Sequence, residues 1–233
     1  MTRLNDPQTA LLQAALPHVA FDGWSDACFH AAVADSGVDP TVARALFPRR
    51  ATDLALAFHR QGDAAMEAAI RSRDLNGLRF RDKIALAVRL RLEGIDDKEA
   101  VRRGGTLMAL PMNAPDGAKA IWGTADRIWT ILGDTSTDHN WYSKRATLSG
   151  VYSATVLYWL GDDSSEHQAT WEFLDRRIDN VMQIEKIKGQ MRKAPGLGPF
   201  VQGAEKLLSR VRPPQMPNDL PGRFNAFMYK DTP

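Results

Sequence analysis

The side chains that most often hold metals or act as nucleophiles are scarce in this sequence, and their spacing favours neither role. Five histidines occur in the 233 residues. None belongs to a His-Glu-x-x-His motif, or to a Glu-x-x-His pair of the kind that holds two iron ions between helices. Glycine-rich phosphate-binding motifs and the Gly-x-Ser-x-Gly motif of hydrolases are also missing. We therefore expect a protein that is not an enzyme and that uses no metal or cofactor.

The single cysteine, Cys28, predicts a structural rather than a chemical role. One cysteine cannot form a disulfide within the chain, which is typical of proteins in a reducing compartment. No cationic residue stands beside it in the sequence to stabilise a thiolate. We therefore expect Cys28 to be buried as a small apolar side chain.

Size and composition predict a globular protein that does not cross a membrane. A chain of 233 residues with 44% hydrophobic residues suits one domain, or a small helical domain joined to a larger one. No secretory signal peptide opens the sequence, and no apolar run approaches the roughly 20 residues of a membrane-spanning helix. Because the net charge is only +2, its distribution is more informative than its sum.

Helix-start and helix-stop signals recur along the whole chain, whereas the alternation typical of strands is scarce. Asp6 followed by Pro7 predicts the first helix, which Pro17 is expected to kink or end. Ser165 and Gln168 have the spacing of a capping box at the start of a late helix. Similar signals predict helices at residues 25–36, 39–46, 53–74, 80–93, 96–110, 122–132 and 138–160. We therefore expect an all-α fold of about ten helices.

The first 60 residues have the proportions of a helix-turn-helix DNA-binding unit but not its charge. They contain five arginines, no lysine and six aspartates, whereas DNA binding requires several cations that neutralise phosphates. The candidate recognition helix, residues 40–46, offers only Arg44 for reading bases. Eight positions resemble the N-terminal pattern of TetR-type repressors: Ala14, Phe21, Gly23, Ala31, Gly37, Val38, Phe47 and Leu54. We therefore expect a TetR-like fold that binds no nucleic acid.

Residues 195–212 follow a Pro-Gly break and predict an amphipathic helix with a basic flank. Between residues 185 and 212 there are seven lysines and arginines against two glutamates. Such a helix can lie in the surface of an anionic bilayer, or it can dock its apolar face on the core of the protein. Recognition by a calmodulin-like partner is a third alternative. The apolar face consists of Leu197, Phe200, Val201, Ala204, Leu207, Leu208 and Val211.

Three of the six tryptophans lie between residues 122 and 141, at the centre of the chain. Trp141 shares a helical face with Leu148 and Trp159, which predicts that it belongs to the core. Tyr142 instead lies beside charged residues at the start of a helix, where an aromatic side chain can anchor a partner protein. A wide aromatic interior would also suit a long apolar ligand.

Residues 133–145, Gly-Asp-Thr-Ser-Thr-Asp-His-Asn-Trp-Tyr-Ser-Lys-Arg, resemble the COQ-nine (COQ9) family of ubiquinone (coenzyme Q) biosynthesis proteins. Residues 110–115 and 170–182 agree with that family as well, and the similarity extends over residues 8–211. The resemblance implies a TetR-like fold without DNA binding, a homodimer, a hydrophobic pocket for isoprenoid lipid, and a C-terminal amphipathic helix that touches the membrane. Eukaryotic members have a mitochondrial transit peptide that this sequence lacks. The resemblance therefore implies a bacterial member, cytoplasmic and peripheral at the inner membrane.

The partner that this resemblance implies is the demethoxyubiquinone hydroxylase, a di-iron enzyme whose quinone substrate is buried in the membrane. Carried over onto this sequence, the surface that meets the hydroxylase consists of Asp126, Trp129, Asp138, Asn140, Trp141, Tyr142 and Arg145. The lipid pocket is expected near Leu107, Leu110, Ile121, Trp122 and Ala125. The expected ligand is an isoprenoid lipid or a phospholipid.

These observations predict a lipid-binding accessory protein that presents isoprenoid quinone precursors to the hydroxylase. A TetR-type transcription regulator with a lipid effector is the alternative, and an all-helical enzyme that acts on a quinone or lipid is a third interpretation. The expected organisation has helix-turn-helix-like helices at residues 1–60 and a lipid-binding and dimerisation domain at 61–194. A membrane-associating helix follows at 195–212, and the proline-rich tail at 213–233 is expected to be disordered.

Overall fold

The computed structural model of the protein describes residues 6–137 and 139–193, and this part of the chain is all-α, as predicted. The described residues form nine α-helices and one 3-10 turn, Ser165–His167, and no β-strand. None of these helices combines the length and the apolarity that a bilayer crossing requires. The predicted helix at 195–212, with all seven predicted membrane-binding residues, and the tail at 213–233 lie outside the described residues. In chain order the helices are α1 (Pro7–Asp22), α2 (Asp26–Ser36), α3 (Pro40–Leu46), α4 (Ala51–Arg71), α5 (Phe80–Glu93), α6 (Lys98–Ala109), α7 (Ala114–Ile131), α8 (His139–Leu160) and α9 (Gln168–Lys193).

The first three helices begin at the capping residues that the sequence predicts. The carboxylates of Asp6 and Asp39 and the hydroxyl of Ser25 each accept a hydrogen bond from a backbone N–H in the first turn of the helix that follows. These N–H groups have no carbonyl partner within their helix, so the caps satisfy them. Gly37 ends α2 in the left-handed conformation, with a φ of 66° that favours glycine.

Pro17 does not end α1, which continues to Asp22. A proline inside a helix removes one backbone hydrogen bond and costs about 3 kcal/mol. Leu11, Ala15 and Val19 lie on the face of α1 that packs into the core, and all three are fully buried. Burial of this face offsets the cost of the proline, and the prediction of an end at Pro17 is therefore wrong.

The start of α9 also differs from the prediction. The carboxylate of Asp162 accepts hydrogen bonds from the backbone N–H of Thr170 at 2.9 Å, from its hydroxyl at 2.5 Å and from the N–H of Ser164 at 2.9 Å. Burial opposes ionisation of Asp162, yet these hydrogen bonds hold the pKa of its carboxyl well below the ordinary value. The predicted capping box of Ser165 and Gln168 is wrong, because the 3-10 turn intervenes and Asp162 takes the capping role.

A first hydrophobic core joins α1, α2 and α3 to the start of α4. Cys28, Phe29 and Phe47 are buried at its centre. Burial raises the pKa of the Cys28 thiol, and the predicted role of this residue as a small apolar side chain is confirmed. The indole N–H of Trp24 donates to the carbonyl oxygen of Ala100 in α6 at 2.9 Å. This hydrogen bond links the connection between α1 and α2 to α6.

A second hydrophobic core lies among α4, α5, α7, α8 and α9, with Met66, Ile128 and Trp159 buried in it. Leu54, on the same helix as Met66, belongs to the first core. Helix α4 therefore spans both cores. The predicted domain boundary at residue 60 falls inside this helix, so the two units share an unbroken stretch of backbone.

Candidate functional site

Helices α7 and α8 bring aromatic and charged side chains together in one surface cluster. Trp122, Asp126 and Trp129 follow one another on α7 at intervals of four and three residues, which places them on one face of the helix. The first turns of α8 and the connection before it supply the remaining members. We call this cluster the α7–α8 patch; it comprises Trp122, Asp126, Trp129, Asp134, Asn140, Trp141, Tyr142, Lys144 and Arg145.

Arg145 is the buried centre of the α7–α8 patch and is only 2% exposed. Its Nε donates to Oδ1 of Asp126 at 2.5 Å, and its Nη1 donates to Oδ2 of Asp134 at 3.0 Å and to the carbonyl oxygen of Trp141 at 3.2 Å. The guanidinium carbon also lies 4.0 Å from the centre of the Trp141 ring, a cation–π contact. A buried charge is stable only when it is paired, so Arg145 holds the patch together from inside.

Asp134, in the connection between α7 and α8, is the main partner of the cationic side chains in the patch. Its side chain is 3% exposed and also accepts hydrogen bonds from Nζ of Lys144 at 2.8 Å and from the hydroxyl of Ser136 at 2.7 Å. Burial opposes ionisation, but the hydrogen bonds from Lys144, Ser136 and Arg145 outweigh it and lower the pKa of Asp134 to about 2. Asp134 is therefore negatively charged at neutral pH and ties the connection to α8.

The aromatic side chains of the patch are half-buried. The rings of Trp141 and Tyr142 meet edge to face, with centroids 4.8 Å apart, and Trp122 lies 6.0 Å from the first ring and 6.3 Å from the second. Trp129 stacks on Phe80 of α5 at 5.3 Å, and its indole N–H donates to a backbone carbonyl of α8 at 3.1 Å. Half-buried aromatic rings that are held by their neighbours are typical of anchors in protein interfaces.

A cavity of about 280 Å³ lies among α4, α5, α6, α7 and α8. Most of its lining is apolar and includes Phe58, Val101 and Ile121. Leu157 also lines the cavity and is 72% exposed, so the cavity reaches the surface beside this residue. A dry apolar cavity of about 150 Å³ holds one benzene molecule, so this cavity suits a larger apolar group.

One wall of the cavity carries a buried polar network. Asp63 and Arg91 form an ion pair at 2.7 Å, and their side chains are 3% and 4% exposed. The hydroxyl of Thr124 donates to Oδ1 of Asp63 at 2.9 Å, and Arg91 also donates to the backbone carbonyl of His59 at 3.0 Å. A Cβ at Gly62 would lie 2.5 Å from Nη1 of Arg91, so the ion pair requires a residue without a side chain at this position.

His59 connects this network with the cavity, which it lines. Its Nε2 lies 2.8 Å from the hydroxyl oxygen of Thr124 and 3.2 Å from the carbonyl oxygen of Ala120. Burial lowers the pKa of the His59 imidazole, although the negative charge of Asp63 opposes this effect. With a pKa below the ordinary 6.5, the ring is neutral at pH 7.

The patch has features of a partner-binding surface, and the cavity has the volume and lining to bind an apolar group. Within residues 6–137 and 139–193, no group of three or more His, Cys, Asp or Glu side chains is arranged to hold a metal ion. The patch presents fixed aromatic rings at the surface, and the cavity offers an apolar volume with one polar wall.

The part of the chain that contains the patch also carries the similarity to known proteins. Residues 114–185, which include α7, α8 and most of α9, match the COQ9 family model. Over 84% of its length, the chain is 30% identical to the "Probable ubiquinone biosynthesis protein coq9, mitochondrial" of Dictyostelium discoideum and covers 67% of that protein. The chain belongs to the COQ9 family.

Two further COQ9 proteins show how far the sequence similarity extends along the chain. The chain is 31% identical to the mitochondrial ubiquinone biosynthesis protein COQ9 of Drosophila melanogaster, over 77% of this chain and 56% of that protein. It is 26% identical to the Homo sapiens COQ9 protein, over 79% of this chain and 60% of that protein. The chain thus spans between 56% and 67% of the length of these three COQ9 relatives.

The fold of this COQ9 family member is similar to that of a TetR transcriptional regulator from Nitrosomonas europaea ATCC 19718. The TM-score is 0.63, with 76% of this chain and 99% of that chain covered and 18% sequence identity. A likeness at this identity concerns the fold alone. The predicted TetR-like, all-α fold is confirmed.

The COQ9 resemblance predicted seven residues of a partner surface, and the structure brings six of them together in the α7–α8 patch. Asp138 lies outside the described residues. Trp141, which the helical spacing assigned to the core, is half-buried, because the helix start exposes one side of its ring. Arg145 is buried and cannot offer its charge to a partner. Sequence reasoning missed Asp134 and Lys144, although both belong to the motif at 133–145, because nothing in their spacing shows that they pair.

The five residues predicted for the COQ9 lipid pocket do not all lie around this cavity. Ile121 lines the cavity. Trp122 lies in the patch, and Leu110 is 45% exposed. Ala125 is buried in the second core, and Leu107 packs against the first. The lining comes from five helices, so spacing within one segment could not assemble it.

Proposed function

We propose that this COQ9 family member binds an isoprenoid quinone precursor and presents it to the membrane-associated demethoxyubiquinone hydroxylase, without catalysing a step itself. The observation that carries this proposal is the largely apolar cavity that reaches the surface beside Leu157. Membership of a family of ubiquinone biosynthesis proteins supports its place in that pathway. A lipid occupant of the cavity accounts for an apolar volume that packing alone does not require.

The proposed mechanism is physical, because an isoprenoid tail cannot leave a bilayer unaided. Exposure of its carbon chain to water costs about 0.8 kcal/mol per CH₂ group. A cavity of about 280 Å³ accommodates the ring and the first part of the tail, while the remainder stays in the bilayer. The protein therefore works at the membrane surface, where the basic amphipathic segment at 195–212 would dock on anionic lipid. We place it in the cytoplasm, peripheral at the inner membrane, as a homodimer.

The α7–α8 patch is the surface that we propose for the hydroxylase. Tyr142 and Trp141 are half-buried and already held by ring contacts and by Arg145. Side chains that are ordered before binding lose less conformational entropy when a partner covers them. The patch lies on α7 and α8, and both helices also contribute residues to the cavity lining, so a bound lipid and a bound enzyme would be neighbours.

A transcription regulator with a lipid effector is the second candidate, because the fold is similar to that of a TetR regulator. Electrostatics argues against it. Arg49 pairs with Asp53 and Asp116, and Arg50 pairs with Asp26, so these arginines are already neutralised. DNA binding instead requires cations that are available for phosphates. We therefore rank this function second.

Filling the cavity is expected to remove the bound lipid. Gly105 lines the cavity, and a Cβ added there meets no atom within 4 Å, so Gly105→Phe can place its ring in the cavity. Gly150→Phe is a matched control, because Gly150 also has open space, lies in α8 and is not among the lining residues. Native extraction and mass spectrometry of the purified proteins should find an isoprenoid or phospholipid in the wild type and the control, and little in Gly105→Phe. Equal lipid content in all three proteins, or none in the wild type, would contradict the proposal.

A charge in the patch is expected to weaken binding of the hydroxylase. Tyr142→Lys should raise the Kd for the enzyme in lipid nanodiscs by roughly thirtyfold, about 2 kcal/mol, because aromatic anchors contribute this much at interface centres. Phe21→Lys is the control, since Phe21 is 86% exposed on α1, outside the patch, and the substitution adds the same charge. Surface plasmon resonance measures both. Equal affinities for the two variants would remove the patch from the proposed interface, whether or not lipid is bound.

A further inference from the structure

The cavity is not uniformly apolar. Binding of a hydrocarbon alone would not require the polar side chains in its lining. His59 and Arg91 both line it. The side chain of His59 is 23% exposed, whereas that of Arg91 is 4% exposed and is buried with its partner Asp63. Polar side chains placed in an otherwise apolar pocket commonly fix the orientation of a ligand and select its chemistry.

The hydrogen bonds of His59 determine which ring nitrogen carries the proton. The carbonyl oxygen of Ala120, 3.2 Å from Nε2, can only accept a hydrogen bond. The single hydrogen of the Thr124 hydroxyl has acceptors in Oδ1 of Asp63 at 2.9 Å, in the same carbonyl at 3.3 Å and in the hydroxyl of Tyr152. Because that hydrogen has other acceptors, the Thr124 oxygen can accept from the N–H of His59. Nε2 of His59 is therefore protonated. In the neutral ring, Nδ1 then carries a lone pair and is an acceptor.

Two polar atoms of these cavity residues have no hydrogen-bond partner among the described residues. One is Nδ1 of His59, whose contacts all involve Nε2. The other is Nη1 of Arg91, because Nε donates to Asp63 and Nη2 donates to the carbonyl of His59. Two neighbouring residues of the cavity lining therefore carry an unused acceptor and an unused donor.

We propose that this wall binds the hydroxyl group of a phenol-class or hydroquinone-class lipid, which donates to Nδ1 of His59 and accepts from Arg91. A hydroxyl group has the donor and the acceptor that this pair requires. A quinone carbonyl or a carboxylate can only accept, and its oxygen would face the lone pair of His59. This inference rests on the proposed lipid-binding function, and it adds that the cavity selects a hydroxylated ring over the oxidised quinone.

The first test needs no variant and uses three probes that share one prenyl chain: 2-geranylphenol, geranylbenzene and geranyl-benzoquinone. The full-length wild-type protein, stripped of co-purified lipid, is titrated with each probe in isothermal calorimetry. The phenol should bind about tenfold more tightly than geranylbenzene, as one satisfied hydrogen bond in an apolar site implies, and more tightly than the quinone. Equal affinity for the phenol and geranylbenzene, or tighter binding of the quinone, would overturn the inference while the lipid-binding function survives. If none of the probes binds, both fail.

The second test assigns the preference to His59. In His59→Gln, the amide N–H₂ can replace the Nε2 donor to Thr124 and Ala120. The amide oxygen is one bond further from the backbone than Nδ1, so it does not restore the acceptor at the position of Nδ1. The variant should lose the tenfold preference for the phenol over geranylbenzene, which is a ratio of two affinities measured on the same protein. Its unfolding midpoint, compared with that of the wild type, separates this loss from misfolding. A variant that keeps this preference would overturn the role of His59. If His59 had only a structural role, its replacement by Gln would leave the ratio of the two affinities unchanged.

Discussion

Replacing Arg145 with methionine is expected to lower the free energy of unfolding by about 4 kcal/mol. Arg145 is 2% exposed, and among the described residues its removal leaves the buried carboxylate of Asp134 with Lys144 as its remaining cationic partner. It also removes the contact with the Trp141 ring. Urea unfolding at pH 7, followed by circular dichroism, measures the loss.

The matched control for this substitution is Arg79→Met, because Arg79 pairs with Asp82 while its side chain is 74% exposed. An exposed ion pair contributes about 0–1 kcal/mol, so the control should be nearly as stable as the wild type. Similar losses in the two variants would mean that burial of Arg145 is not what makes its pairing important.

The ion pair between Arg145 and Asp134 also makes the stability of the fold depend on pH. The folded-state pKa of Asp134 is about 2, below its ordinary 3.8, so ionised Asp134 contributes about 2 kcal/mol of stability. A lowered folded-state pKa means that this contribution is present above about pH 4 and is lost as the pH falls towards 2. In Arg145→Met the pKa of Asp134 should rise, which NMR titration of its carboxyl carbon would detect.

Asp63 and Arg91 should show strong energetic coupling. Asp63→Ala leaves Arg91 buried without its counter-ion and is expected to cost about 4 kcal/mol. Arg91→Met leaves Asp63 with the more exposed Arg127, 3.9 Å away, and is expected to cost about 3 kcal/mol. In the double variant neither charge remains buried alone. Its loss should therefore be about 3 kcal/mol smaller than the sum of the two single losses.

Urea unfolding of the four proteins in this double-mutant cycle measures the coupling. Thr124→Val in place of Arg91→Met gives a comparison within the same network, because the Thr124 hydroxyl is an uncharged donor to the carboxylate of Asp63. Its coupling with Asp63 should be the weaker of the two. Strict additivity of the Asp63 and Arg91 substitutions would show that their buried contact contributes no energy.

Local sequence signals predicted the helices well where the cause of each boundary is local. Caps at Asp6, Ser25 and Asp39 satisfy N–H groups within three residues, so the sequence contains the whole interaction. The helix predicted at 122–132 begins at Ala114, eight residues earlier than predicted. Two further errors have non-local causes. Helix α1 passes Pro17 because its face is buried against other helices, and α9 takes its cap from Asp162, across the 3-10 turn.

The candidate site likewise has one part that depends on local sequence and one part that depends on contacts between distant segments. The α7–α8 patch depends on one continuous motif and on the spacing along α7, and six of its residues could be carried over from a family resemblance. The cavity could not be predicted, because its lining combines α4, α5, α6, α7 and α8. The ion pair on its wall joins Asp63 to Arg91 across 28 positions of sequence, and neither residue is marked by its neighbours.

Helix α4 has a consequence for how such a protein can change over evolutionary time. It supplies Leu54 to one core and Met66 to the other, and between them it carries His59 into the cavity. A recombination breakpoint within Ala51–Arg71 would separate two fragments that each lack part of their interior. The N-terminal three-helix unit and the cavity-bearing bundle are therefore expected to be inherited together. Because the two units share α4, a helix-turn-helix-like unit can be retained during evolution even where its arginines pair with aspartates instead of DNA phosphates.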